Sequence, residues 1–278
     1  MMLRSLLFVP ADRPERFAKA VDSGADAIIL DLEDSVAPER KAYGRGAIAE
    51  WLAGDRPTPA FVRVNPLDGE AIADDLNAAL EARPDGLMLP KAEGAASIEA
   101  LLRMAGGRPV PPILPIATET PAAIFELGSY RSVARHLAGI TWGAEDLPAA
   151  IGASTSREAD GRYTPPYEMV RALTLFAAHA CAVPAIETVF PTIEPGHDLC
   201  AYIARARRDG FTGMMAIHPR QVEAINAGFM PTDEEIAHAR AVVEAFAAHP
   251  GAGALKLDGR MIDRPHWVQA RRILDMVG

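Results

Sequence analysis

Ala25-Asp26-Ala27-Ile28-Ile29-Leu30-Asp31-Leu32-Glu33-Asp34 is a short apolar run closed by three carboxylates. Its centre is apolar without alternation, as a strand buried on both faces requires, and such strands belong to parallel sheets covered by helices. Seven further runs of this kind start near Arg4, Ala60, Gly86, Pro112, Gly139, Pro184 and Gly213, reading RSLLFVP, AFVRVN, GLMLPK, PILPIAT, GITWGAED, PAIETVF and GMMAIH. Stretches with helical apolar spacing lie between them, over 14–23, 40–52, 72–82, 97–104, 166–182 and 199–209. Eight strands alternating with helices predict an α/β fold, a TIM (β/α)8 barrel, since eight is the number at which such a sheet closes. A doubly wound sheet is the alternative, disfavoured because no glycine-rich phosphate loop follows the first run. Pro115, inside the fifth run, predicts an irregular or shortened strand, because proline cannot donate to a ladder.

The chain continues past its eighth unit. Helical patterns over 221–228 and 233–248 precede a tight turn at Asp258-Gly259 with apolar flanks, and a final amphipathic helix follows over 265–276. The organisation expected is a barrel over 1–230 and a C-terminal helical extension over 231–278. That extension either covers the barrel's own bottom or crosses to a neighbouring subunit.

Composition narrows the function. With 28 Lys and Arg against 37 Asp and Glu, the formal net charge is −9, and no basic run offers a nucleic-acid surface. No apolar stretch approaches the ~20 residues of a membrane span, and the apolar start is too short for a signal peptide. Cys181 and Cys200 have no CxxC spacing, which excludes a cysteine metal cluster and a disulfide framework and fits a reducing cytoplasm.

Nearly every run ends in polar residues: Asp31-Leu32-Glu33-Asp34, Arg63-Val64-Asn65, Pro90-Lys91, Thr118-Glu119-Thr120, Glu145-Asp146, Glu187 and His218-Pro219. The carboxyl ends of barrel strands open on one face, where active sites are built. Some of these residues have plainer uses. Asp12, Asp34 and Thr120 suit helix N-caps, His218 a backbone hydrogen bond and Glu187 a buried ion pair. Carboxylates crowded in a low-dielectric mouth repel unless a cation sits among them. Two carboxylates plus waters suit Mg²⁺, no spacing suggests zinc, and Arg63 offers a planar fork for a substrate carboxylate. The pattern suggests a Mg²⁺ enzyme acting on a small oxyanion, without defining the reaction.

The blocks LLFVPADRPERFAKA, ADAIILDLEDSVAPERK, FVRVNPLD, LMLPKAE, TETP, WGAEDL, IHPRQV and DGRMIDRPHWVQARRIL resemble the citrate lyase beta-subunit-like family of CoA-ester lyases, which includes malyl-CoA and citramalyl-CoA lyases. The resemblance runs from Arg4 to Leu274, with the blocks in order. It implies a TIM barrel, assembled as a homotrimer or hexamer, that makes or breaks a carbon–carbon bond beside a thioester with Mg²⁺. The substrate would be a 3-hydroxyacyl-CoA such as malyl-, citramalyl- or citryl-CoA, and the products a 2-oxo acid and an acyl-CoA. By motif, Glu119 and Asp146 resemble the metal ligands, with Glu119 also facing substrate. Asp31, Glu33 and Asp34 resemble groups that hold the metal's waters. Arg63 resembles the clamp on the 2-oxo acid. Asp263 resembles an acid/base that completes a neighbouring subunit's site, and Arg13, Arg16 and Lys19 would face the CoA phosphates. Relatives often read NRPR where this chain has Asp12-Arg13-Pro14-Glu15. A malyl-CoA thioesterase, a citrate lyase beta subunit acting on a carrier-bound citryl thioester, and a non-catalytic metabolite-binding protein are the other readings.

Overall fold

A computed structural model of the chain describes residues 3–194 and 196–277; Met1 and Met2, at the head of the stretch read against a signal peptide, lie outside the described residues. Two compact units divide the chain, Met1–Asn226 and Ala227–Gly278.

In the first unit, strands and helices alternate as β1 (Ser5–Pro10), α1 (Phe17–Val21), β2 (Ala27–Asp31), α2 (Lys41–Leu52), β3 (Ala60–Arg63), α3 (Ile72–Ala82), β4 (Gly86–Leu89), α4 (Gly94–Met104), β5 (Ile113–Pro115), α5 (Pro121–Glu126), β6 (Ile140–Thr141), α6 (Leu147–Ile151), α7 (Pro165–Ala180), β7 (Ala185–Glu187), α8 (His197–Asp209) and β8 (Gly213–Ala216), with α9 spanning Pro219–Gly228. A 3-10 segment, Leu127–His136, follows α5. The eight strands form one sheet in the order β5-β4-β3-β2-β1-β8-β7-β6, and all its ladders are parallel. This is the expected TIM-type barrel, nearly closed. Each strand lies where an apolar run predicts it.

The seam falls between β5 and β6. Two isolated parallel bridges, Ile113↔Leu137 and Ile116↔Thr141, stand there in place of a ladder. Ile113 O accepts from Ala138 N at 2.8 Å and Ala117 N donates to Thr141 O at 2.9 Å, so alternate residues of this strand face β6. Pro115 belongs to that set, and its missing N–H removes a donor from the seam, which is why β5 has three residues.

The barrel interior is filled by Leu6, Ile29, Phe61, Met88, Leu114, Ile116, Ile186 and Met215. One glycine permits a close strand approach: a Cβ on Gly213 would sit 1.8 Å from the Leu3 carbonyl oxygen.

The second unit holds α10 (Asp233–Ala248), β9 (Ala254–Leu257), β10 (Arg260–Asp263) and α11 (Arg264–Asp275). Thr232 and Glu235 cap α10 reciprocally, the Thr232 N–H donating to Glu235 and the Glu235 N–H to Thr232 Oγ1. β9 and β10 pair antiparallel around Asp258 (φ 47°) and Gly259 (φ 79°), the two positive φ values of the hairpin turn that Asp-Gly predicts. Ala239, Val242, Ile262 and Ala270 form the unit's core. Among the described residues, no helix is long and apolar enough to cross a membrane.

Candidate active site

A cavity of about 420 Å³ opens at the carboxyl ends of the strands, and Asp31, Asp34, Arg63, Glu119, Glu145 and Asp146 are among its lining residues. The chain reaches this place as the sequence suggests. Most of the apolar strands end in, or are soon followed by, charged residues that turn toward the mouth, several of them still buried.

Asp31 and Arg63 occupy paired positions on β2 and β3. Arg63 Nε and Nη2 donate to the two oxygens of Asp31 at 2.6 and 2.7 Å. Asp31 also accepts from the backbone N–H of Glu33 at 2.9 Å and of Ser35 at 3.2 Å. Burial disfavours the Asp31 charge, but the Arg63 bonds outweigh it and hold the carboxyl below its ordinary range. The acceptors of Asp31 are thus committed to orienting Arg63 and the loop after β2.

Glu33 is also buried. Its Oε1 accepts from Lys91 Nζ at 3.2 Å. Its Oε2 lies 2.6 Å from Arg63 Nη1 but out of hydrogen-bond alignment, and is a buried oxygen without a hydrogen-bond partner. Burial pushes this carboxyl up, partly offset by the Arg63 charge. Asp34 stands at the exposed rim, 4.0 Å from Arg63 Nη1.

Glu119 follows β5 and is buried, with Oε2 accepting from the backbone N–H of Lys91 at 2.7 Å. Gly143, across the seam, makes room for it: a Cβ there would come within 2.8 Å of Glu119 Cγ. Burial raises the Glu119 carboxyl to about 8, with the Lys91 N–H opposing and the charges of Glu33 and Asp146 adding. Asp146, ahead of α6, is half-buried, and its Oδ1 lies 3.4 Å from Lys91 Nζ. Among the described residues, no three His, Cys, Asp or Glu side chains form a metal cage unaided.

A second groove, also about 420 Å³, shares Phe8, Pro10 and Ile217 with the cavity and is lined by Arg16, Lys19 and His218. Arg13 is not in that lining; its Nε is 3.8 Å from Asp12. Asp263 stands in the second unit at the N-cap position of α11, its Oδ1 2.5 Å from His266 Nδ1.

Three of the plainer uses find their places, but Asp12 and Asp34 cap no helix. Arg13 and Ala37 stand at the N-cap positions of the short 3-10 turns Pro14–Arg16 and Pro38–Arg40, with no side-chain cap, while Asp12 pairs with Arg40 and Asp34 lies near Arg63. Thr120 caps α5 by accepting from Ala123 N. His218 Nδ1 accepts from Arg220 N. Glu187 is fully buried, accepting from Trp142 Nε1 at 2.5 Å and Arg171 Nε at 2.7 Å, while Arg171 Nη1 donates to Asp209. Lys91, one of the polar strand ends, does reach the mouth, and the sequence assigns it no specific role. It is at φ 49°, a left-handed conformation that nothing about a lysine announces.

An eight-stranded parallel barrel whose carboxyl-end mouth gathers carboxylates around an arginine and a lysine defines a (β/α)8 enzyme. The chain belongs to the HpcH/HpaI aldolase/citrate lyase family, which matches residues 4–219 and makes it an enzyme of the lyase class. It is 36% identical over 278 residues to the citrate lyase subunit beta-like protein of Mycobacterium tuberculosis (strain ATCC 25618 / H37Rv), covering 98% of this chain and 94% of the relative. It is 33% identical over 280 residues to the (3S)-malyl-CoA thioesterase of Cereibacter sphaeroides (strain ATCC 17029 / ATH 2.4.9), covering 98% and 93%. Its fold matches that of CitE from Mycobacterium tuberculosis, solved in complex with magnesium, acetoacetate and coenzyme A, with a TM-score of 0.87 at 34% identity, covering 100% of this chain and 98% of that one.

Proposed function

We propose that the protein is a Mg²⁺-dependent carbon–carbon lyase that cleaves, or forms, a 3-hydroxyacyl-CoA. The carrying observation is the set of three neighbouring carboxylates at the mouth: Glu119, raised to about 8 by burial and its neighbours' charges, Asp146, and Glu33 with a buried oxygen lacking a hydrogen-bond partner. Such a set calls for a cation, and its all-oxygen chemistry fits Mg²⁺ with water and substrate in the remaining positions. Glu119 and Asp146 would hold the metal, and Glu33 would take its waters. Bound there, Mg²⁺ supplies Lewis acidity toward the hydroxyl and carboxylate oxygens of the substrate.

The chain's residues divide the remaining work. Arg63, oriented by Asp31 and Glu33, offers the N–H groups not bonded to Asp31 to the carboxylate of the departing 2-oxo acid, an electrostatic contribution organised in advance. The substrate hydroxyl gives its proton to solvent water at the mouth, the bond between the carbinol carbon and the thioester α-carbon breaks, and its electron pair passes to the thioester enolate. Asp263 of a neighbouring subunit protonates that α-carbon, or deprotonates it in the forward condensation. Arg16 and Lys19, in the groove continuous with the mouth, suit the CoA phosphates.

The role given to Asp263 requires a homo-oligomer, and the family resemblance suggests a trimer or hexamer. The exposed apolar stripe Met169, Leu173 and Phe176 along α7 supports assembly.

The test is incubation with malyl-, citramalyl- and citryl-CoA and Mg²⁺, following 2-oxo acid and free CoA separately. Stoichiometric 2-oxo acid and acyl-CoA are expected. The thioesterase relative favours a second reading, hydrolysis by the same mouth, and free CoA without a 2-oxo acid would establish it.

A further inference from the structure

We propose that Lys91 is a resident counter-ion that competes with the divalent cation for Asp146 and so sets how tightly the mouth loads. This rests on Glu119 and Asp146 being the metal's protein ligands.

One residue touches three of the carboxylates at once. The backbone N–H of Lys91 donates to Glu119 Oε2 at 2.7 Å, while its ammonium lies 3.2 Å from Glu33 Oε1 and 3.4 Å from Asp146 Oδ1. The backbone is held at φ 49° to do this. A glycine would take that conformation more easily, but would bring no charge. The lysine therefore places a positive charge between carboxylates that otherwise repel one another.

The ammonium and a divalent cation want the same oxygens. Asp146 cannot give Oδ1 fully to both, and the two positive charges repel across a few ångströms. The Lys91 stem is flexible and its side chain is 34% exposed, so the ammonium can retreat toward Glu33 and solvent as the metal enters. The metal-free mouth keeps its shape, and the metal binds less tightly than the carboxylates alone would hold it.

A supporting lysine and a competing lysine predict opposite signs. Mg²⁺ titration by calorimetry is made on the full-length, metal-stripped protein. Lys91→Met is expected to bind Mg²⁺ on the order of tenfold more tightly than the unaltered chain. Its metal-free form should melt at a lower temperature, because the carboxylates have lost their counter-ion. Lys91→Arg, which keeps the charge, should stay near the unaltered affinity. Lys91→Gln serves the same purpose if the methionine variant does not fold. Equal or weaker Mg²⁺ binding by the neutral variants overturns the proposal. Glu119→Gln is titrated alongside: unchanged Mg²⁺ affinity in that variant removes the ligand assignment itself and the competition with it.

Discussion

Arg63 presents its Nε and Nη2 edge to the two oxygens of Asp31 at 2.6 and 2.7 Å, while its Nη1 lies 2.6 Å from Glu33 Oε2. The two carboxylates together fix the plane of the guanidinium. A guanidinium held this way reaches a substrate carboxylate without first losing rotamer freedom.

Replacing Arg63 by Lys keeps one charge and loses the fork. The expected result is a fall in kcat/KM for the 2-oxo acid reaction of about 100-fold or more, with a much smaller change in the dissociation constant for CoA. Equal losses for both ligands would place Arg63 at the nucleotide instead.

Glu119 gives the mouth a pH dependence of defined sign. Its folded-state value of about 8 lies above the ~4.3 of an exposed glutamate, so between these values the folded chain holds a proton that the unfolded chain has lost. Metal-free stability should fall as pH rises through this window, and Glu119→Gln should remove that part of the slope. Mg²⁺ needs the carboxylate, so its affinity should rise with pH up to about 8. Calorimetry from pH 6 to 9 checks both, and an affinity flat across that range would sink the assignment.

The barrel and part of its mouth are legible in the sequence for one reason. A strand buried on both faces carries no polar face to blur its pattern, so the charges at its end stand out, as at Ile28-Ile29-Leu30-Asp31. Asp258-Gly259 is legible because its backbone conformation is nearly dictated by residue type. The helices α5 and α6 escape notice because six and five residues do not complete two turns. Their surviving signals are Thr120-Pro121 and Asp146-Leu147-Pro148, a capping position followed by proline. The use of Glu187 depends on Arg171 and Trp142, partners brought from other elements by tertiary packing alone. Lys91 is legible as a strand-end charge, but its ammonium's partners are not, since they lie 58 and 55 positions away in the chain.

Arg171 and Glu187 make a structural prediction independent of the chemistry. Arg171→Met leaves Glu187 fully buried with its charge uncompensated, which should cost roughly 3–5 kcal/mol of unfolding free energy. The double variant Arg171→Met, Glu187→Gln should recover part of that loss. Urea unfolding measures both, and a single-variant loss near zero would mean the pair is not what holds β7 to α7.

Asp263 allows a test by mixing. Asp263→Asn and Glu119→Gln are each expected to be inactive, the first while still binding Mg²⁺. If Asp263 acts across subunits, random one-to-one mixing leaves about one site in four with both carboxylates intact, and activity should return toward that fraction. No recovery after verified subunit exchange would confine Asp263 to its own chain, or to capping α11.

The break in the ladder between β5 and β6 has a mechanical meaning once the two proposed metal ligands are located. Glu119 follows β5 and Asp146 follows β6, so an ion gripped by both would buckle the barrel shut across the gap that Pro115 leaves. Loading would then stiffen the wall as well as charge the site. The Ala117 and Gly143 amides, which cross that gap to Thr141 O and Thr118 Oγ1, should exchange with solvent more slowly when Mg²⁺ is present.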